Sequence, residues 1–163
     1  MKNQWSKVLK TSLLVAFLGL INFTASANDF RNTDQYNLES SVSLKGYDPV
    51  SYFPEGGSVP QLGNQEFALD YKGVTYLFTS QSNQDQFLTA PEKYEPTYGG
   101  WCAYAMASGS KVDIQPELFT VHGNRLHLFV AARAKRNFDR AIEDHEQRAD
   151  KFWKQISGEL PRL

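Results

Sequence analysis

The amino-acid sequence predicts an α+β fold in which two β-hairpin-plus-helix units pack around one core. Segments of alternating apolar and polar residues flank a glycine-containing turn twice, at 67–71 with 74–78 and at 117–121 with 125–129. A helix-like segment follows each hairpin, and in both copies the helix phenylalanine lies nine positions after the last strand phenylalanine, Phe87 after Phe78 and Phe138 after Phe129. This repetition predicts two similar units, although two common amphipathic patterns also produce such a match by chance.

The first 27 residues have the pattern of a secretory signal peptide. Three lysines precede an apolar run at 13–21, and Ala25-Ser26-Ala27 supplies the small residues of a cleavage site before Asn28. The apolar run is short for a bilayer span, so we expect cleavage, with an uncleaved anchor as the alternative. The mature chain of about 136 residues is then expected in a bacterial periplasm, or fully secreted.

The mature chain is expected to form one domain. Residues 28–42 predict an irregular lead-in, 43–158 the folded domain and 159–163 a short tail. Without the three signal lysines, 14 basic and 18 acidic side chains remain, a net charge near −4. This balance and the lack of a basic stripe argue against nucleic acid as a partner. No segment after the signal has the composition of a membrane span.

Local signals place the shorter helices. Asp48 followed by Pro49 is typical of a helix start, and the Pro54-Glu55-Gly56-Gly57 segment ends that helix early. Ser80 predicts the cap of a helix that runs to about Ala90, where Pro91 interrupts it.

The C-terminal part predicts one long helix over residues 132–157. Gly158 and Pro161 end it. Its apolar residues recur at helical spacing and predict one buried face, formed by Phe138, Ile142, His145, Ala149, Phe152 and Ile156. His145 on this face is expected to be a core or boundary histidine more than a ligand.

Several of these segments together resemble the YHS domain family. The resemblance is carried by Gly-Tyr-Asp-Pro-Val-Ser-Tyr-Phe at 46–53, Gly-Val-Thr-Tyr-Leu-Phe at 73–78, and Phe87 with Pro-Glu-Lys-Tyr at 91–94. Residues 98–103 are similar to the continuation in exported, stand-alone YHS proteins, so the likeness extends roughly over 43–158. It implies a small α+β module related to treble-clef-like domains. Such modules occur in heavy-metal transport ATPases and other metal-handling proteins, with copper or another soft metal as the inferred cargo.

The chain departs from the family at its cysteines. Short metal-binding members have Asp-Pro-Val-Cys and Phe-Cys-Ser-x-x-Cys segments, whereas here the corresponding positions hold Ser51, Thr79 and Asn83. The usual metal site of the family therefore cannot be transferred to this chain, and no zinc-type cysteine cluster is present in the sequence.

Cys102 is the only cysteine, and an exported chain with one thiol cannot form an internal disulfide. Met106 lies four residues further on, so a helix here would place both sulfurs on one face. A thiolate and a thioether are soft ligands suited to Cu(I), and His122 or His127 could complete such a site. The alternatives are plain burial in the core, a thiolate activated at a helix start after Gly100, and a Cys102-linked dimer.

The sequence therefore favours a periplasmic module that binds or carries a soft metal, copper first, or that binds a metal-delivering or envelope protein. The alternative is a non-catalytic module that binds a partner or small ligand without metal. An enzyme is disfavoured because no Ser-His-Asp spacing, phosphate loop or CxxC motif is present. The oligomeric state stays open between a monomer and the Cys102-linked dimer.

Overall fold

The computed structural model of the protein describes residues 31–162. The predicted α+β class is confirmed, with two small antiparallel sheets and five α-helices in this part of the chain. The elements are, in order, β1 (Asn64–Tyr71), β2 (Val74–Phe78), α1 (Gln81–Thr89), α2 (Pro91–Tyr94), α3 (Ala103–Met106), β3 (Gln115–His122), β4 (Arg125–Phe129), α4 (Ala132–Asp139) and α5 (Ile142–Ser157). Short 3₁₀ turns precede each unit. The signal-peptide prediction for 1–27 lies outside the described residues.

Both predicted hairpins are present. β1 pairs with β2 around Lys72-Gly73, and β3 pairs with β4 around Gly123-Asn124. Lys72 and Gly73 both have positive φ, 49° and 83°, as a tight two-residue turn requires, and glycine adopts this conformation without a Cβ penalty.

The second unit repeats the first in detail. β3, β4 and α4 each begin 51 residues after β1, β2 and α1. Each hairpin has its register irregularity at the matching place, between Asn64 and Ala68 in one and between Gln115 and Phe119 in the other. A turn of three consecutive positive-φ residues precedes each unit, at 44–46 and again at 98–100. The chain therefore folds as two equivalent units that share one core.

The predicted long C-terminal helix is confirmed as α5, but its predicted start at about Ala132 is wrong. The chain forms two helices, α4 and α5, which are separated by Arg140 and Ala141. Ala141 has φ −154° and ψ 63°, almost the conformation of Ala90 (φ −156°, ψ 68°) before α2. The break thus belongs to the repeated unit. Pro91 reveals it in the first copy, but Ile142 stands at the matching place in the second.

The predicted buried face of the last helix is also shifted. The buried positions of α5 are Glu146, Ala149, Trp153 and Ser157. Of the predicted set, Ile142, His145, Phe152 and Ile156 are only half-buried, whereas Phe138 and Ala149 are buried. Glu146 and Ser157 are tolerated inside because their side chains are hydrogen-bonded, and a pattern of apolar residues cannot detect that.

The helix caps are confirmed where the sequence placed them. The Asp48 carboxylate accepts a hydrogen bond from the Val50 amide at 2.8 Å, at the start of the 3₁₀-helix Pro49–Tyr52. The Ser80 hydroxyl accepts from the Asn83 amide at 3.2 Å and starts α1. No helix within residues 31–162 combines the length and the apolar character that crossing a bilayer demands.

Candidate functional site

The first cluster gathers the three residues, Ser51, Thr79 and Asn83, that stand in place of cysteines in the sequence resemblance. Asp48 is fully buried, and its Oδ2 accepts hydrogen bonds from the Thr79 amide (2.9 Å), the Thr79 hydroxyl (2.8 Å) and the Asn83 side-chain amide (2.7 Å). Ser51, also buried, donates its hydroxyl hydrogen to the Asp48 carbonyl at 2.6 Å. The structure thus brings all three cysteine-replacing residues together around Asp48, with Thr79 and Asn83 on its carboxylate and Ser51 on its backbone carbonyl. We call Asp48, Ser51, Thr79 and Asn83 the Asp48 cluster.

The Asp48 cluster also holds the loop at residues 58–63. The Asp48 amide donates to the Gln61 carbonyl at 2.8 Å, and the Gln61 amide donates to the Ser51 hydroxyl at 3.1 Å. On either side of Gln61 the loop exposes an apolar side chain, Val59 (60% exposed) before it and Leu62 (66% exposed) after it. They are the two most exposed large hydrophobic residues in the described part of the chain.

Cys102 and Met106 lie inside the core. Cys102 is the N-cap residue of α3 and Met106 is its last residue, so they are one helical turn apart, and both are 0% exposed. The predicted helix is therefore present but is only four residues long. The Cys102 amide donates to the Val112 carbonyl at 3.0 Å, which repeats the bond from the Asp48 amide to Gln61 in the first unit.

By this correspondence Cys102 occupies the second-unit counterpart of Asp48. The residues 51 positions after Thr79 and Asn83 are Val130 and Ala134, so apolar side chains replace the two donors there. The thiol thus lies where the first unit has a hydrogen-bonded carboxylate, but in a position whose matching neighbours are apolar.

His122 and His127 are brought together, on the Oε1 atom of Glu146. His127 on β4 is fully buried, and its Nε2 is 2.7 Å from Oε1, whereas Nδ1 is buried and has no hydrogen-bond partner. His122, at the end of β3 and 40% exposed, places Nδ1 3.2 Å from the same oxygen. Arg125 lies 3.6 Å from Glu146 Oε2. We call His122, Arg125, His127 and Glu146 the Glu146 cluster.

Opposing effects set the protonation of the Glu146 cluster. Burial alone raises the pKa of Glu146, but the hydrogen bond from His127 and the charge of Arg125 outweigh it and lower this pKa to about 2. Burial lowers the pKa of His127, because water no longer solvates the imidazolium, and the hydrogen bond to Glu146 only partly offsets this. At neutral pH the pair is therefore a neutral imidazole that donates Nε2–H to an ionised carboxylate.

A second carboxylate, Glu95, ties the two ends of the described chain together. It is 2% exposed, pairs with Arg31 and with Arg162 (3.1 Å from Arg162 Nε), and accepts from the Tyr76 hydroxyl at 2.8 Å. A cavity of about 10 Å³ beside it is bounded in part by Tyr98 and has room for one water molecule. It is too small for an organic ligand.

The four predicted metal ligands do not form one cluster around a common atom. Cys102 and Met106 share α3, whereas His122 and His127 share Glu146. Within residues 31–162 no three histidine, cysteine, aspartate or glutamate side chains converge as a metal site would require. His145 lies at the boundary of the core, between the rings of Tyr104 and Phe138.

Comparison with known proteins gives one match, which lies in the first unit. Residues 50–98 match the family model of the YHS domain, which confirms over that segment the resemblance seen in the sequence. YHS domains are generally associated with metal transport proteins. No curated protein and no solved structure matches the chain.

Two residues central to these clusters were not singled out from the sequence. Glu95 and Glu146 each lie 19 residues after the strand residue that binds them, Tyr76 and His127. This equal spacing was the available signal, because it extends the repeated pattern of strand and helix beyond the phenylalanines.

Proposed function

We propose that this protein is a non-catalytic module of the cell envelope that binds a partner protein and has no metal at the thiol position of the YHS fold. The observation that supports this best is the Asp48 cluster. It replaces the family's cysteines with a closed set of hydrogen bonds.

The chemistry of the Asp48 cluster opposes a metal ion. The Asp48 carboxylate already accepts four hydrogen bonds, from Val50, Thr79 (twice) and Asn83. Metal binding would require those donors to turn away and would leave buried amide hydrogens unpaired, at about 1–3 kcal/mol for each group. The cluster supplies no sulfur, so a soft ion gains nothing in return.

The same cluster supports a role in docking. Its two hydrogen bonds to Gln61 anchor the 58–63 loop at that residue, so Val59 and Leu62 project into solvent on either side of an anchored point. Exposed apolar side chains on a rigid support favour a protein interface, because little conformational entropy is lost when a partner covers them. We propose that this loop contacts a metal-delivering or other envelope protein, and that the mature chain reaches it in the periplasm after signal cleavage.

The docking proposal is tested with the substitution Leu62→Asp. Purified mature protein is used to capture partners from solubilised cell envelopes, with Leu88→Asp as the matched control. Leu88 on α1 is also exposed (50%) and apolar but lies outside the loop. We expect Leu62→Asp to lose the captured protein and Leu88→Asp to retain it. If both variants capture the same proteins as the wild type, the loop is not the docking surface.

A second candidate function is Cu(I) binding by Cys102 and Met106. It is favoured by the position of these two buried sulfurs one turn apart on α3, a thiolate-thioether pair that suits Cu(I). The association of YHS domains with metal transport adds to it.

One titration separates the two candidates. The mature protein competes with a Cu(I) chelator, alongside Cys102→Ser and Met106→Leu. Copper binding requires one tightly held Cu(I) in the wild type and its loss in Cys102→Ser, whereas the metal-free proposal requires equally weak competition by all three proteins. The rate of thiol alkylation is a second readout, since a core thiol reacts only after the protein unfolds.

A further inference from the structure

Each unit has a buried pair at matching positions, a strand residue bonded to a glutamate, but the strand residue differs between the units. In the first unit Tyr76 on β2 donates to Glu95 at 2.8 Å, and in the second His127 on β4 contacts Glu146 at 2.7 Å. The partners are 19 residues apart in both pairs. A tyrosine does not change its charge between pH 5 and 8, whereas histidine is the side chain that ordinarily does. Only the second unit therefore has a proton acceptor at this position.

Charged groups face His127 from α5 and from its own strand. Glu146 on α5 contacts it directly, and on the same helix Asp150 pairs with Arg125 while Glu143 lies 3.9 Å from His122. Arg125 on its own strand donates to Asp150 at 2.5 Å and to the Tyr98 hydroxyl at 3.0 Å. The rings of Tyr98 and Phe138 pack beside the imidazole at centroid distances of 5.8 and 4.9 Å.

The consequence for His127 follows from its two nitrogens. Nε2 already donates its hydrogen to Glu146, so a further proton must bind at Nδ1, which is buried and has no acceptor. The new N–H would be unpaired, and the positive charge of Arg125 nearby would repel the imidazolium. Protonation is therefore compatible with the cluster only when β4 and α5 separate and water reaches Nδ1.

We propose that the Glu146 cluster is a proton-sensitive latch that holds the β3–β4 hairpin against α5 at neutral pH and releases it in acid. His127 in the folded state has a pKa below its ordinary 6.5 because it is buried. A folded-state pKa below the unfolded value means that the opened state takes up the proton first, so stability falls as pH drops through about 6.5. Tyr76, whose pKa burial raises further above this range, gives the first unit no such dependence, so the first hairpin serves as an internal reference.

Hydrogen exchange measured at pH 7.5 and 5.5, corrected for the intrinsic pH dependence of exchange, tests the latch. For a histidine of ordinary pKa that is protonated only in the opened state, protection of the β3–β4 amides should fall about tenfold over this range. The β1–β2 amides should change far less. Equal loss of protection in both hairpins, or none in either, would overturn the proposal.

Substitutions link the effect to His127. His127→Gln preserves a donor to Glu146 without a titrating group and should abolish the difference between the hairpins, whereas His145→Gln, a histidine outside the cluster, should leave it unchanged. If His127→Gln folds poorly, NMR titration of the wild-type histidines replaces it. We then expect His127 to stay neutral, with its hydrogen on Nε2, down to pH 5.5. A His127 signal that titrates at or above pH 6.5 would refute the latch.

Discussion

Replacing Asp48 with alanine should remove a large part of the stability of this protein. Asp48 is fully buried, and its carboxylate joins the start of the 3₁₀-helix at Val50 to the start of α1 at Thr79 and Asn83. The substitution leaves the Val50 and Thr79 amide hydrogens without an acceptor in a place that water does not readily reach.

The expected magnitude follows from those unpaired groups. Loss of the cap at Val50, which leaves the amide of that residue unpaired, costs about 1 kcal/mol, and the unpaired Thr79 amide costs about 1–3 kcal/mol. Thr79 and Asn83 are half-buried, so their side chains regain hydrogen bonds to water and contribute less. The sum is about 2–4 kcal/mol, a substantial share of the roughly 5–15 kcal/mol that stabilises a typical domain.

Urea unfolding followed by circular dichroism measures this loss. The matched control is Asp70→Ala on β1, where the carboxylate accepts one bond from the Thr75 hydroxyl at 2.6 Å at an exposed site. That variant should lose at most about 1 kcal/mol. Asn83→Ala added to Asp48→Ala should cost less than it does in the wild-type background, because the two residues share one hydrogen bond. A loss below about 1 kcal/mol for Asp48→Ala would show that the cluster is dispensable.

Two further substitutions test other parts of the structure. Gly99→Ala should cost more than about 2 kcal/mol, because Gly99 has φ 60° and an added Cβ would approach the Trp153 ring to 2.8 Å. Gly123→Ala, at φ 62° with open space around it, should cost about 1 kcal/mol. Equal urea midpoints for the two variants would contradict this difference. Glu146→Gln should make the free energy of unfolding less dependent on pH in acid. A carboxyl whose pKa is lowered to about 2 adds stability above pH 4.5 that is lost between pH 4.5 and 2. If the urea midpoints of wild type and variant change equally over that range, the prediction is contradicted.

Sequence patterns were sufficient for most of the fold because the relevant signals are local. The hairpins, the Asp48 and Ser80 caps and the repetition of the unit depend on turn chemistry and on residues a few positions apart. The break at Ala141 was missed because only tertiary packing imposes it, and no proline marks it as Pro91 does in the first unit.

The candidate site was less predictable because its bonds join distant segments. Ser51, Thr79 and Asn83 were recognised as the positions of missing thiols, but only the fold shows that they converge on Asp48. Glu146 looked like one of many charged residues on an exposed helix, and its burial depends on β4, 19 residues earlier. The trace that such partners left in the sequence is the repeated spacing of 19 residues in Tyr76–Glu95 and His127–Glu146.

The equivalence of the two units gives Cys102 a physical explanation that its sequence context alone did not provide. It stands at the counterpart of Asp48, where Val130 and Ala134 replace the two side-chain donors of the first unit, so a carboxylate there would be buried without those two hydrogen bonds. A small, weakly polar thiol fits such a position. Cys102→Ala should therefore cost only about 1–2 kcal/mol, whereas Cys102→Asp, which restores the first-unit residue without its side-chain donors, should cost more than about 3 kcal/mol or unfold the domain. Circular dichroism and urea midpoints of the two variants decide this, and a well-folded Cys102→Asp would show that the second unit has polar partners at this position after all.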